Sequence, residues 1–599
     1  MRGILCLTVV VSLAVLCGCK RTAITGWQPA ENAIMTRWSS EVNPLAPWPE
    51  YPRPQMVRND WMNLNGLWDY AITAKDAGKP KKWQGKILVP YPVESALSGV
   101  KAKMTDSLAI WYQTTFAIPS DWKEKQIMLN FEASDWETTV WIDGEIAGIH
   151  RGGYDPFGIN ITDLFSKRRN HTVTVKVWDP TDKSSQPRGK QVTKPGGIWY
   201  TSSTGIWQTV WLEPVSEISI ADLEITPDVD RSRLYVTVRD NPAGIDTSLK
   251  AEITVMKERT VIAKSIGSIN KSISLDIKEA VLWRPENPFL YDLRIRLIKD
   301  NDVIDEVSSY AGMRKISVGR AEDGYTRILL NNHFVEQSGT LDQGFWPDGI
   351  YTPPTEEAMK YDLVALKEMG FNMLRKHVKV EPRRYYYLTD KLGILVWQDM
   401  PSAEGYISGD MPDLQKSVED SSQFAFELQR LIETRYNNPS VIMWVIFNEG
   451  WGQFKTADIT LLASRLDTTR LINSASGWTD RGTGDISDVH HYPDPVAPKA
   501  EEKRAIVLGE FGGLGLPVNG HTWEKKNWGY RNMRDSLQLL SRFTDFYSTV
   551  RGLVKNNGLS ATIYTQTTDV ETETNGLLTY DRAVNKMGSE NVRKALHGK

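Results

Sequence analysis

Cysteine is nearly absent from this 599-residue sequence: Cys6, Cys17 and Cys19 are the only three, all within the first 19 positions. The body of the chain therefore has no thiol for a disulfide, a thiolate metal site or a cysteine nucleophile. An excess of charge of one sign is lacking too. Lys and Arg number 71 against 74 Asp and Glu, a net charge of −3, and nothing points to nucleic acid or to a basic membrane-binding face. Long apolar runs are missing, apart from Ile4 to Leu16, and that run is too short to span a bilayer. There is no His-Glu-x-x-His, no Gly-x-Ser-x-Gly elbow, and no Gly-rich phosphate loop after any strand candidate.

The short apolar run has a meaning of its own. Arg2 precedes it and Leu16-Cys17-Gly18-Cys19 ends it, which reads as a secretory signal resembling a bacterial lipobox, with Cys19 lipidated. The expectation is export with a lipid anchor, at the periplasm or outer-membrane surface, the membrane being touched only through that anchor. Ordinary cleavage to a secreted protein is the alternative. Residues 20–47 are polar and contain proline, and read as a tether. Tryptophan is abundant, 22 residues against 15 Phe. Such rings suit the apolar face of a sugar, and equally serve as core of a β-sandwich.

Residues 48–215 show short alternating segments such as "QIMLNFEA" and "HTVTVKVWD", with an Asp143-Gly144 hairpin signal, and predict a jelly-roll sandwich. Residues 216–318, with "RLYVTVRD" and "LYDLRIRLI", predict a second, immunoglobulin-like sandwich. From 319 to 599 strand-like and helix-like runs alternate, which argues for a parallel sheet. Eight strands are expected at 334–340, 371–376, 394–399, 441–448, 470–475, 487–492, 505–511 and 559–566. That count and length match a (β/α)8 TIM barrel; an open doubly wound sheet is the alternative.

Barrel proteins carry their chemistry at the C-terminal ends of the strands. Those ends bear Asp342, Arg375 with His377, Gln398 with Asp399, Asn448 with Glu449, His490-His491-Tyr492, and Glu510. The run Val441–Phe447 is wholly apolar and then stops at Asn448-Glu449, as expected of a buried strand that delivers an acid to a rim. Glu449 after the fourth strand and Glu510 in the seventh would face each other across the mouth. Two opposed carboxylates are the equipment of glycoside hydrolysis, one giving a proton to the leaving oxygen and the other attacking the anomeric carbon. Such a reaction needs no metal or organic cofactor. His490 and His491 are unsuited to share one ion, because adjacent residues at a strand end point to opposite sides.

The segments "FEASDWETTVWIDGEIAG", "STGIWQTVWLEPV", "LWRPENPFLYDL", "GFNMLRKH", "NNPSVIMWVIFNEG" and "VLGEF" together resemble glycoside hydrolase family 2, which contains β-galactosidases, β-glucuronidases and β-mannosidases. The resemblance implies that Glu449 is the acid/base, Glu510 the nucleophile and Asn448 the contact to the sugar 2-hydroxyl. It implies further that Tyr492 donates to the nucleophile and that Arg375 and His377 lie on the pocket floor. Gln398 and Trp451 are further candidate sugar contacts, and Asp342, Trp346 and Asp348 are expected in the wall of the sugar pocket. The chain departs from the family's patterns at the sugar-selecting loops: Phe511-Gly512-Gly513 follows Glu510, and Asn575-Gly576-Leu577 stands where glucuronidases have Asn-x-Lys. The sequence reading is thus a retaining exo-β-glycosidase acting on oligo- or polysaccharides, with β-galactosides favoured. A family 2 enzyme for another sugar, such as a β-mannosidase, β-glucuronidase or arabinosidase, and a non-catalytic glycan-binding lipoprotein are the alternatives.

Overall fold

The computed structural model describes residues 26–165, 170–244, 246 and 248–598, so Cys19 and the signal segment lie outside the described residues. The first sandwich packs a six-stranded antiparallel sheet against a four-stranded one. Its strands Glu137–Ile142 and Glu145–Arg151 are joined at Asp143-Gly144, both with positive φ, as the hairpin signal predicts. Leu129, Phe131, Val140, Val173, Val175 and Leu212 alternate inward and are fully buried between the sheets. The second sandwich has sheets of three and four strands around Val236, Ile253, Leu293 and Ile295.

The segment read as a tether is not a free linker from Gly26 onward. A 3-10 turn, Arg37–Glu41, sets Trp38 against Trp346 and Tyr361. Trp38 and Trp48 are buried, and Thr36 binds Asp348 through both its N–H (2.9 Å) and its hydroxyl (2.6 Å). Within the tether's polar composition the Trp38 ring went unread, and its burial favours packing on the barrel over solvation.

Eight parallel strands form the barrel: β1 Gln337–Asp342, β2 Met373–Lys376, β3 Leu395–Asp399, β4 Val441–Asn448, β5 Leu471–Ser476, β6 Ile486–His491, β7 Ala505–Gly512 and β8 Ala561–Thr565. Their hydrogen-bonded order runs β5-β4-β3-β2-β1-β8-β7-β6, and Asp485 N–H donates to Ile472 O (2.8 Å) where β5 meets β6. The eight predicted strands are these eight, shifted by up to three residues at their ends. Helix α1, Glu356–Glu368, starts at its Thr355 cap, and Gly370 follows it with φ +93°. Between β3 and β4, helix α2, Val418–Arg435, buries Phe424, Leu428, Leu431 and Ile432 on its predicted stripe. No helix joins β5 to β6 or β6 to β7 among the described residues; these links are irregular. The strand Ile316–Arg320 crosses the expected 318/319 boundary, pairing with Thr326–Leu330. Ile316, Ile328 and Leu330 pack with the barrel interior.

Register decides what each strand end presents. Leu341, Arg375 and Trp397 are aligned across β1, β2 and β3, and so are Asp342, Lys376 and Gln398. Leu341 and Trp397 belong to the barrel interior, so the second row faces the helices.

Candidate active site

Arg375 is the hub of the mouth. It is fully buried, and its Nε and Nη2 donate to Asp399 at 2.9 Å. The same group donates to Asn448 Oδ1 (2.7 Å) and Glu510 Oε1 (3.3 Å). Burial alone would weaken its hold on the proton, but Asp399 and Glu510 raise it above the ordinary value, so the guanidinium is a fixed positive charge. The Asn448 amide is thereby oriented by its oxygen, while its buried nitrogen has no hydrogen-bond partner among the described residues.

Glu510 sits on β7, where a bulge between Leu508 and Phe511 interrupts the register. Gly509 is needed beside it, since a Cβ there would lie 2.2 Å from Asp488 Oδ1. Tyr492 donates to Glu510 Oε2 at 2.6 Å and lies 2.7 Å from Thr565 Oγ1. Burial would push the Glu510 carboxyl up, but His490, Arg375 and Lys190 outweigh it and hold it at about 2. It is ionised at any physiological pH.

Glu449 follows β4 in a left-handed conformation, φ +50°, held by its N–H donating to Ser476 O at 2.8 Å. Its carboxylate meets His490 Nδ1 at 2.8 Å, and His490 Nε2 lies 2.7 Å from Ser476 Oγ. Burial lowers the His490 pKa, yet Glu510, Glu449 and Asp488 raise it overall above the ordinary imidazole value. His377 goes the other way. Burial, then Lys190, lower it well below the ordinary value, so its neutral ring donates Nδ1–H to Asp399 at 2.9 Å. Carboxylate oxygens of Glu449 and Glu510 and a nitrogen of His490 all lie within 4.8 Å of one another. These are donor types that a cation could use, but Arg375 reaches both Glu510 and His490 at 3.3 Å and already supplies the positive charge. Glu449 is 8% and Glu510 5% exposed, so both are sheltered and neither is sealed.

The first sandwich reaches over this mouth. Trp199 lies 5.0 Å from Trp451, which in turn lies 6.2 Å from His377. Exposed Trp478 stands edge-on to His490 at 5.9 Å, and Tyr530 stacks on Tyr492 at 4.0 Å.

Of the residues picked from sequence, Glu449, Glu510, Asn448, Tyr492, Arg375, His377 and Trp451 come together here. Four do not, and are corrected. Asp342 faces the helices, paired with Lys376 (2.7 Å) and bonded by Tyr385 (2.9 Å). Gln398 faces the same way, accepting from Tyr386 and donating to Lys379 O. Trp346 lies between Trp38 and the Arg582 guanidinium, 3.8 Å from its ring. Asp348 is fully buried beneath Thr36. His490 and Asp399 stand at predicted strand ends but carry no assigned role there. Lys190 and Trp199 lie in an irregular segment far from the barrel sequence, where no periodic signal marks them. His491 turns outward to Asp494 O (2.6 Å), away from His490.

A parallel barrel carrying two sheltered, opposed carboxylates and an arginine hub, preceded by two sandwiches, defines the architecture of a sugar-cleaving enzyme class. Three domain profiles match in the same order: the sugar binding domain of glycosyl hydrolases family 2 at residues 86–212, the family 2 domain itself at 218–314, and the family 2 TIM barrel domain at 354–505. The chain belongs to glycosyl hydrolase family 2. A Formosa agariphila protein is 26% identical over 382 residues, 61% of this chain but only 34% of its own length, so the chain spans about a third of that relative. A β-glucuronidase from Paenibacillus borealis is 24% identical over 518 residues, 80% of this chain and 82% of the relative. The structure of a Ruminococcus gnavus β-glucuronidase in complex with D-glucuronic acid superposes with a TM-score of 0.72 at 18% identity, covering 92% of this chain and 100% of that one.

Proposed function

We propose that the protein is a retaining exo-β-glycosidase that removes a terminal β-linked sugar from an oligo- or polysaccharide. The observation that carries this is the pair of Glu449 and Glu510 oxygens no more than 4.8 Å apart. Retaining pairs stand about 5–5.5 Å apart, whereas inverting pairs leave about 6.5–9.5 Å for a water. Glu510, held ionised, attacks the anomeric carbon and forms a glycosyl ester. Glu449 gives its proton to the departing glycosidic oxygen, then takes one from the water that opens the ester. His490 orients Glu449, and Tyr492 and Arg375 orient Glu510. The Asn448 amide nitrogen is free to donate to the sugar 2-hydroxyl. Trp199 of the sandwich packs on Trp451 of the barrel and crowds the mouth, which supports removal of end sugars over cleavage within a chain.

For the sugar, galactose was the expectation from the sequence. The Paenibacillus relative's name supports a uronic acid instead. The test of the reaction is covalent capture with a panel of activated 2-deoxy-2-fluoro β-glycosides. One sugar of the panel should add its mass to the peptide bearing Glu510, and Glu510→Ala should abolish turnover while keeping the fold. No label from any sugar, or wild-type rates in Glu510→Ala, would remove the double-displacement reading.

A further inference from the structure

Among the described residues the mouth holds a further cation whose field helps keep Glu510 ionised but which bonds to none of the groups that break the glycosidic bond. Lys190 belongs to the first sandwich and is 4% exposed. Its backbone is clamped on both sides, directly to the barrel before it and through Tyr200 after it. The N–H groups of Arg188 and Gly189 donate to Ser402 O at 2.8 and 3.1 Å, and Tyr200 N–H donates to Lys190 O at 2.9 Å. Tyr200 OH donates in turn to Glu573, in the loop after β8. Gly189 has φ +64°, and a Cβ on it would lie 2.4 Å from Val378 O, so the strap is pressed against the barrel surface.

The strap leaves the Lys190 ammonium 5.6 Å from the Tyr200 ring and 5.7 Å from the Trp451 ring. Among the described residues no acceptor hydrogen-bonds it and no carboxylate forms an ion pair with it. The acids that act on it from farther off, Glu573, Glu510 and Glu449, are already engaged. Glu510 is held by Arg375 and Tyr492, Glu449 by His490, and Glu573 by Tyr200 and Asn575. A buried charge without a partner is costly, and burial lowers the affinity of Lys190 for its proton. A fixed strap that keeps such a charge beside the reacting carboxylates is accounted for if the partner arrives with the substrate.

We propose that Lys190 is a specificity-determining residue, and that its ammonium pairs with the carboxylate of a terminal uronic acid whose anomeric carbon faces Glu510. This rests on the glycosidase reading above. A sugar hydroxyl would accept a hydrogen bond from Lys190 but leave its charge unpaired; a carboxylate does both. The planar walls, Tyr200 and Trp451, line the cation without competing for it.

The experiment compares wild type, Lys190→Met and Lys190→Arg on nitrophenyl β-glucuronide and β-galacturonide against the matched β-glucoside and β-galactoside, with thermal unfolding as the check on folding. Wild type should prefer a uronide. Lys190→Met should lose about 30- to 5,000-fold in kcat/KM on it, the range for removing one partner of a buried charge pair. Its rate on the matched neutral sugar should fall far less, because His490 and Arg375 still hold Glu510 ionised, and Lys190→Arg should keep part of the preference. Equal loss on uronide and neutral sugar would make Lys190 a structural residue and overturn the proposal. A wild type that hydrolyses only neutral sugars would overturn it too, while leaving the glycosidase reading standing. Failure on every sugar, with no label at Glu510, would remove both.

Discussion

Replacing Asn448 with alanine removes an amide whose two ends have different partners. The oxygen accepts from Arg375 at 2.7 Å, while the nitrogen is buried with no partner among the described residues. The first loss is small, about 1 kcal/mol of stability, because the guanidinium keeps Asp399 at 2.9 Å and Glu510 at 3.3 Å. The second is felt only with a sugar in place, where the amide donates to the 2-hydroxyl as charge develops at the anomeric carbon. A hydrogen bond to a group gaining charge contributes about 1.5–3 kcal/mol, or about 10- to 150-fold in kcat/KM. The assay is a two-by-two comparison of wild type and Asn448→Ala on the aryl glycoside that wild type hydrolyses best and on its 2-deoxy counterpart. The intrinsic reactivity of the 2-deoxy sugar cancels in the ratio. The variant should be about 10- to 150-fold slower than wild type on the parent sugar and nearly equal to it on the 2-deoxy sugar. An undiminished deficit on the 2-deoxy sugar means that amide and hydroxyl never meet, and the placement of the ring against β4 is wrong.

Glu510 titrates at about 2 against an ordinary 4.5, so the stability its ionisation contributes is present above about 4.5 and is lost as the pH falls towards about 2. Chemical unfolding of wild type and Glu510→Gln should show a stability gap that closes across that window; a constant gap refutes the assignment. Asp342→Asn breaks one of the two buried pairs of Lys376, whose ammonium keeps Glu381 at 2.9 Å, and should cost about 1–3 kcal/mol, read as a fall in Tm, with kcat and KM of the folded enzyme unchanged. A raised KM at unaltered Tm would return Asp342 to the sugar pocket.

The barrel was legible because its strands are buried on both faces and so read as apolar runs, Val441–Phe447 most clearly. Their polar endings gave Glu449 and Glu510. What a strand end does not reveal is which way its side chain points. Arg375 and Lys376 are neighbours in sequence and face opposite sides, and Asp342 and Gln398 go with Lys376. Counting parity from Arg375 would have placed all three on the helix side. Trp346 and Asp348 were misread for another reason: the residues that bury them, Trp38 and Thr36, come from a segment whose composition suggested solvent. Lys190 and Trp199 left no trace in any pattern, because tertiary docking alone sets them beside β4 and β7.

The strap around Lys190 separates two tasks onto two domains. The groups that break the bond are all rooted in the barrel, where register fixes them. Lys190 and Trp199, by contrast, ride on a loop of the sandwich, which is synthesised first and folds around its own core. Exchanging that short loop between relatives should therefore transfer taste for a sugar without disturbing the chemistry that cleaves it.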